Sequence, residues 1–122
     1  MFLLDSNIII YAVKPGFDVV RRFIATRTVG VSWVSYVEVL GYTKLSTADR
    51  EDFEKFFSLA HKLPLSETIF QKAAELKQLR KMTLGDALIA SSAITSNAVL
   101  VTSNAADFKW IKEIQLVDPM KL

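Results

Sequence analysis

The chain has 122 residues, 51% hydrophobic and 23% charged, a globular composition that can bury a core without disulfide or metal staples and that excludes disorder. A net charge of +2 and a pI near 8.9 neither require nor exclude a polyanionic partner. No cysteine is present, so there is no disulfide framework and no thiolate metal site, and no apolar run approaches the ~20 residues of a membrane span.

The opening residues Met1–Asp5 reach an acid with no basic segment before it, unlike a secretory signal. The expectation is a cytoplasmic protein without a membrane segment, folded as one domain over residues 1–122. Phe2–Leu4 is a short apolar run of the kind that forms a buried strand. Asp5 ends it, Ser6 and Asn7 follow, and a further apolar run spans Ile8–Tyr11. In that setting Asp5 reads as a turn or N-cap residue, or as a functional acid that Ser6 and Asn7 support.

Between residues 17 and 26, Val20, Phe23 and Ile24 share one helical face. A second strand is expected over Val29–Val34. Ser35 and Glu38 then have capping-box spacing, which predicts a helix starting after Ser35 with Glu38 at its third position. Helices are also expected near Asp49 and Glu67. Phe53, Phe56, Phe57 and Ala60 make an apolar stripe that is expected in the core, the alternative being a groove for a partner. The lone histidine, His61, falls at a helix end, and without cysteine or a second histidine zinc chemistry is disfavoured. Leu63–Leu65 is a weak third strand.

Thr83 and Asp86 repeat the capping-box spacing at the start of a helix that begins at Gly85 or Asp86 and lasts until Asn97. Its small residues Ala87, Ala90 and Ala93 allow it to lie close against a sheet, holding Asp86 near Asp5. Val99–Thr102 is a strong fourth strand, Asp107 lies in the segment after it, and Gln115–Val117 is a fifth. Apolar strands alternating with helices define an α/β, Rossmann-like three-layer sandwich around a parallel sheet. In such folds ligands collect where strands end and helices begin, and Asp5, Glu38, Asp86 and Asp107 all map to that edge. Carboxylates ~6 Å apart repel by about 3 kcal/mol at an effective dielectric of 20, so a cluster takes up protons or binds a hard divalent cation.

Leu3-Leu4-Asp5-Ser6-Asn7-Ile8, Glu38 and Leu84-Gly85-Asp86-Ala87-Leu88-Ile89-Ala90, in this order and spacing, resemble the PIN domain family and within it the VapC-type toxins, the ribonuclease partners in toxin–antitoxin pairs. The resemblance covers nearly the whole chain. It implies a PIN-like sheet of about five parallel strands in the order 3-2-1-4-5, with Asp5, Glu38 and Asp86 as metal-site acids. The family's fourth acid stands where this chain has either Asn104 or Asp107; the role is carried to Asp107, with Asn104 and Thr102 as polar support.

The family also implies Mg²⁺ or Mn²⁺, a homodimer and a small inhibitory antitoxin. The function so implied is metal-dependent endoribonuclease action leaving a 5′-phosphate and a 3′-hydroxyl. Lys14, Arg80, Lys81, Lys109 and Lys112 are candidates for guiding the RNA backbone, or simply a solvated surface.

Rival readings are a catalytically silent PIN-like module and the receiver domain of response regulators, which requires an aspartate ending the third strand that Leu63-Pro64-Leu65 lacks. A dehalogenase-like phosphatase would need a second acid where Asn7 stands.

Overall fold

The computed structural model describes residues 1–122. Strand β1 (Phe2–Leu4) leads into helix α1 (Ser6–Val13), followed by α2 (Asp18–Ala25), β2 (Val29–Ser32), α3 (Trp33–Leu40) and α4 (Thr47–Leu59). Then come β3 (His61–Leu63), α5 (Glu67–Leu79), α6 (Leu84–Thr95), β4 (Val99–Val101), a 3-10 turn (Ala105–Asp107), β5 (Gln115–Val117) and a last 3-10 turn (Pro119–Lys121). The five strands form one parallel sheet in the order β3-β2-β1-β4-β5. This is the PIN-like order. It differs from the 2-1-3-4-5 order of flavodoxin-like sheets.

A parallel sheet needs cover on both faces, and β1 shows how three residues achieve it. Leu3 and Leu4 point to opposite faces, as strand alternation dictates, and both are fully buried. Leu4 joins Ile8, Val20, Phe23, Val31, Phe53, Phe57 and Val101 beneath α1 to α4. Leu3 joins Leu76, Ile89, Ala90, Ala93, Leu100 and Phe108 beneath α5 and α6. Phe53 and Phe57 are therefore core residues, as expected of the stripe, and Phe56 packs against the same cluster. Ala87, Ala90 and Ala93 are completely buried, so α6 lies close against its neighbours.

Several local boundaries fall elsewhere than the sequence indicates. The run Ile8–Tyr11 is helical, because α1 starts immediately after Asp5. Strand β2 stops at Ser32, whose Oγ accepts from Val34 N at 3.0 Å and caps α3. Ser35 is thus not the N-cap and Glu38 is not at the third position; Glu38 lies one turn further along α3. Ser32 pairs with Leu63 as the last rung of the ladder, and Trp33 and Val34 belong to the helix although their apolarity extends the strand-like run.

Strand β3 runs over His61–Leu63 and ends before Pro64, which has no N–H for a ladder. His61 is consequently the exposed first residue of β3, at the opposite end of that strand from the acidic edge, not a helix-end residue.

Candidate active site

The sheet register builds the site. Leu4 pairs with Val31 on one side and Val101 on the other, so the next residues, Asp5, Ser32 and Thr102, stand side by side where the strands end. Asp5 N extends the ladder by donating to Val101 O at 2.9 Å. Its side chain caps α1, with Oδ1 accepting from Ser6 N at 2.8 Å, while Oδ2 accepts from Thr102 Oγ1 at 2.8 Å. Thr102, itself fully buried, is oriented by Asn104 N, which donates to its Oγ1 at 3.0 Å. Capping and site chemistry therefore coexist in Asp5. Each carboxylate oxygen uses one lone pair and retains another.

Asp5 is only 5% exposed, and no cation is paired with it: the two ion pairs of the chain, Arg21–Asp18 and Lys72–Glu113, lie elsewhere. Burial pushes its pKa above the usual carboxylate range; the Thr102 and Ser6 hydrogen bonds oppose this, and the negative charges of Glu38 and Asp107 raise it further. Asp86 is half-buried at the third position of α6, where its backbone N donates to the N-cap Thr83 Oγ1 at 3.1 Å. Its pKa is also raised, first by burial and then by the charges of Asp5 and Asp107, with the Thr83 hydroxyl working the other way. Four acids, from the β1–α1 junction, α3, α6 and the first 3-10 turn, thus share one electrostatic field. Asp107 and Asn104 are exposed, and Asn104 acts through its backbone N–H.

Glu38 Oε1 accepts from Ser6 Oγ at 2.7 Å, and Ser6 Oγ also lies 2.9 Å from the buried Ser35 Oγ. A hydroxyl carries one proton and an ionised carboxylate only accepts, so the relay runs from Ser35 through Ser6 to Glu38. The other oxygen of Glu38 rests against α6. A Cβ on Gly85 would come within 2.5 Å of Glu38 Oε2. Gly85 and Ser35 are the residues whose part sequence reasoning missed. Glycine in a helix's first turn costs up to ~1 kcal/mol relative to alanine, and that oddity was the available signal for Gly85. Ser35 was marked only by its three-residue spacing to Glu38, which reads as a cap rather than as a relay.

Asn7 is not among the groups that hold Asp5; Ser6 and Thr102 supply those bonds. Lys14 shares a cavity of about 310 Å³ with Glu38 without forming an ion pair. Arg80 and Lys81 line another, of about 380 Å³, together with Asp86 and Asp107. Lys109 and Lys112 are simply exposed.

Oxygen donors in excess of cations, with a buried carboxylate among them, match the preferences of a hard divalent ion. No three of the acids converge within reach of a single ion as their side chains stand.

The arrangement defines an α/β fold with an acid-lined carboxyl edge. The chain belongs to the PIN domain family, whose model matches residues 2–113. Among solved structures it is similar to the VapBC2 complex of Rickettsia felis bound to a promoter DNA fragment (TM-score 0.81, 25% identity, 95% of this chain and 96% of that one). It is also similar to VapBC-1 of nontypeable Haemophilus influenzae (TM-score 0.81, 25% identity, 98% of both chains). A toxin–antitoxin complex of Klebsiella pneumoniae shares the fold at 24% identity (TM-score 0.79, 98% of both chains). Comparison with curated protein sequences finds no match. No helix is long and apolar enough to cross a membrane.

Proposed function

We propose that the whole chain is one PIN-like nuclease domain acting as a metal-dependent endoribonuclease, the toxin of a toxin–antitoxin pair. Its partners on this reading are RNA, a small antitoxin and a second copy of itself, and its place is the cytoplasm. The observation that carries the reading is Asp5: a buried carboxylate without a counter-cation, in the field of further acids at the strand ends of a PIN fold. The toxin–antitoxin complexes with which the chain shares its fold support the toxin assignment.

Asp5 and Asp86 would hold Mg²⁺ or Mn²⁺, with Glu38 and Asp107 contributing directly or through water. When bound, the ion would supply charge neutralisation at the phosphate and a lowered pKa for a water. The chain's own residues do the rest. Ser6 and Thr102 fix the Asp5 carboxylate, so its free lone pairs are held in place before any ligand arrives. The Ser35–Ser6 relay holds Glu38 by one oxygen, leaving the other to accept a proton from the attacking water. The water oxygen bonds to phosphorus as the P–O3′ bond breaks, and O3′ takes a proton from solvent. A 5′-phosphate and a 3′-hydroxyl result.

A second reading, a PIN module that binds without cutting, draws on the absence of any three acids within reach of one ion. An RNA cleavage assay separates the two. Cleavage is expected with Mg²⁺ or Mn²⁺, and loss of it with EDTA, in Asp5→Asn and in Asp86→Asn. Activity undiminished by both substitutions overturns the mechanism.

A further inference from the structure

The loop between α5 and α6 and the turn after the first 3-10 helix enclose a cavity of about 380 Å³ whose walls differ in chemistry. The acids Asp86 and Asp107 line it together with the cations Arg80 and Lys81 and the indole of Trp110. The Arg80 guanidinium lies 5.6 Å from the Trp110 ring centroid, a cation–π distance. Trp110 is anchored at its polar end, Nε1 donating to Asp107 O at 3.1 Å, and its half-buried ring packs against the core. The loop is pinned as well, since Lys77 Nζ donates to Met82 O at 3.0 Å. Neither Arg80 nor Lys81 is engaged in an ion pair.

An anchored indole, a guanidinium over it and an adjacent ammonium match a flat base joined to an anionic phosphate. The volume falls in the roughly 300–1,000 Å³ range of ligand sites. Charge alone does not select the ligand, since both signs line the cavity; the exposed guanidinium beside an anchored indole does, because it offers a planar stacking surface that a base fills and a chain of charged side chains leaves unused.

We propose that this cavity binds the RNA nucleotide next to the scissile phosphate, its base stacked on the Trp110–Arg80 unit and its phosphate held by Arg80 and Lys81. The proposal rests on the ribonuclease reading for the neighbouring acids, and Arg80, Lys81 and Trp110 act as binding residues.

The chain has two tryptophans, so Trp33→Phe leaves Trp110 as the sole indole reporter in the full-length protein. Titration with a uridine hexamer in EDTA at low salt is expected to change Trp110 fluorescence saturably. Arg80→Ala, at an exposed position, should weaken binding about tenfold and lower the slope of log K against log salt by roughly 0.7. On cleaved RNA with Mg²⁺, Arg80→Ala and Trp110→Phe should raise KM while kcat stays within roughly twofold.

No fluorescence response, or binding and KM indifferent to Arg80→Ala, overturns the subsite even where RNA is cut. If the parent cuts no RNA, the ribonuclease reading falls separately and the titration alone decides the cavity. Trp110→Phe keeps an aromatic ring in its core packing, and Arg80→Ala gives the same test without touching the core.

Discussion

Replacing Asp5 by asparagine in metal-free protein should raise stability at neutral pH while abolishing cleavage. The side chain is almost entirely buried, bears no paired cation and feels the charges of Glu38 and Asp107. Removing that charge relieves its burial penalty, the largest cause of the raised pKa, and behind it the repulsion from Glu38 and Asp107, which for any one pair is at most about 3 kcal/mol at ~6 Å and an effective dielectric of 20. Some of that gain is lost with the charge-assisted hydrogen bonds. An asparagine Oδ1 can still accept from Ser6 N, and its amide can donate to the second lone pair of Thr102 Oγ1, which already accepts from Asn104 N. A net gain of about 2 kcal/mol follows, or roughly 8 °C in Tm for a chain of this length.

The pH dependence fixes the sign. A carboxyl whose folded pKa is raised binds its proton more tightly in the native state, so native stability is greatest below the unfolded value of 3.8 and falls as pH rises through the folded pKa. The advantage of Asp5→Asn should therefore be present at pH 7 and vanish as the pH approaches 3.8 from above. Calorimetry or thermal circular dichroism across that window, in EDTA, measures it. A variant less stable than the parent at pH 7, or a gain independent of pH, refutes the electrostatic argument. Adding Mg²⁺ should stabilise the parent by mass action and leave the variant unmoved.

Gly85→Ala should leave Tm unchanged or slightly raised, because alanine is the better helix former, yet lower RNA cleavage by an order of magnitude or more as the added Cβ displaces Glu38 Oε2. Activity equal to the parent would show that the Glu38 position is not critical. Thr102→Val removes the donor to Asp5 Oδ2 and the acceptor for Asn104 N; urea unfolding should register a loss of about 1–3 kcal/mol. Ser32→Ala should cost about 1 kcal/mol as a lost N-cap, with cleavage retained. Ser35→Ala, by contrast, should impair cleavage by interrupting the relay through Ser6 to Glu38, and the comparison of the two variants in both assays checks which serine caps α3.

Much of the architecture was readable along the chain because it rests on short-range chemistry. Apolar runs at Phe2–Leu4 and Val99–Val101 need burial on both faces, the Phe53 and Phe57 stripe has helical spacing, and Thr83 caps α6 through a bond three residues long. These features also place Asp5 and Asp86 at strand and helix ends, hence at one edge of a parallel sheet. Local pattern was weaker where two structures share a signature. Ile8–Ile10 is β-branched and continuous, and only its position directly after the Asp5 cap makes it helical. Ser35 carries the capping-box spacing, and only the end of the β2–β3 ladder at Ser32 makes Ser32 the cap instead.

What the sequence determined by itself is the alternation of strands and helices and the residues that stand at their junctions, since periodicity and capping involve neighbours a few positions apart. Only the tertiary structure decided which of those junction residues meet. Thr102 holds Asp5 across 97 positions and Ser6 holds Glu38 across 32, while Gly85 keeps a space open for a carboxylate on another helix. Such pairings depend on strand register and on how closely helices pack, quantities that arise when the whole core condenses and that leave no trace in local spacing.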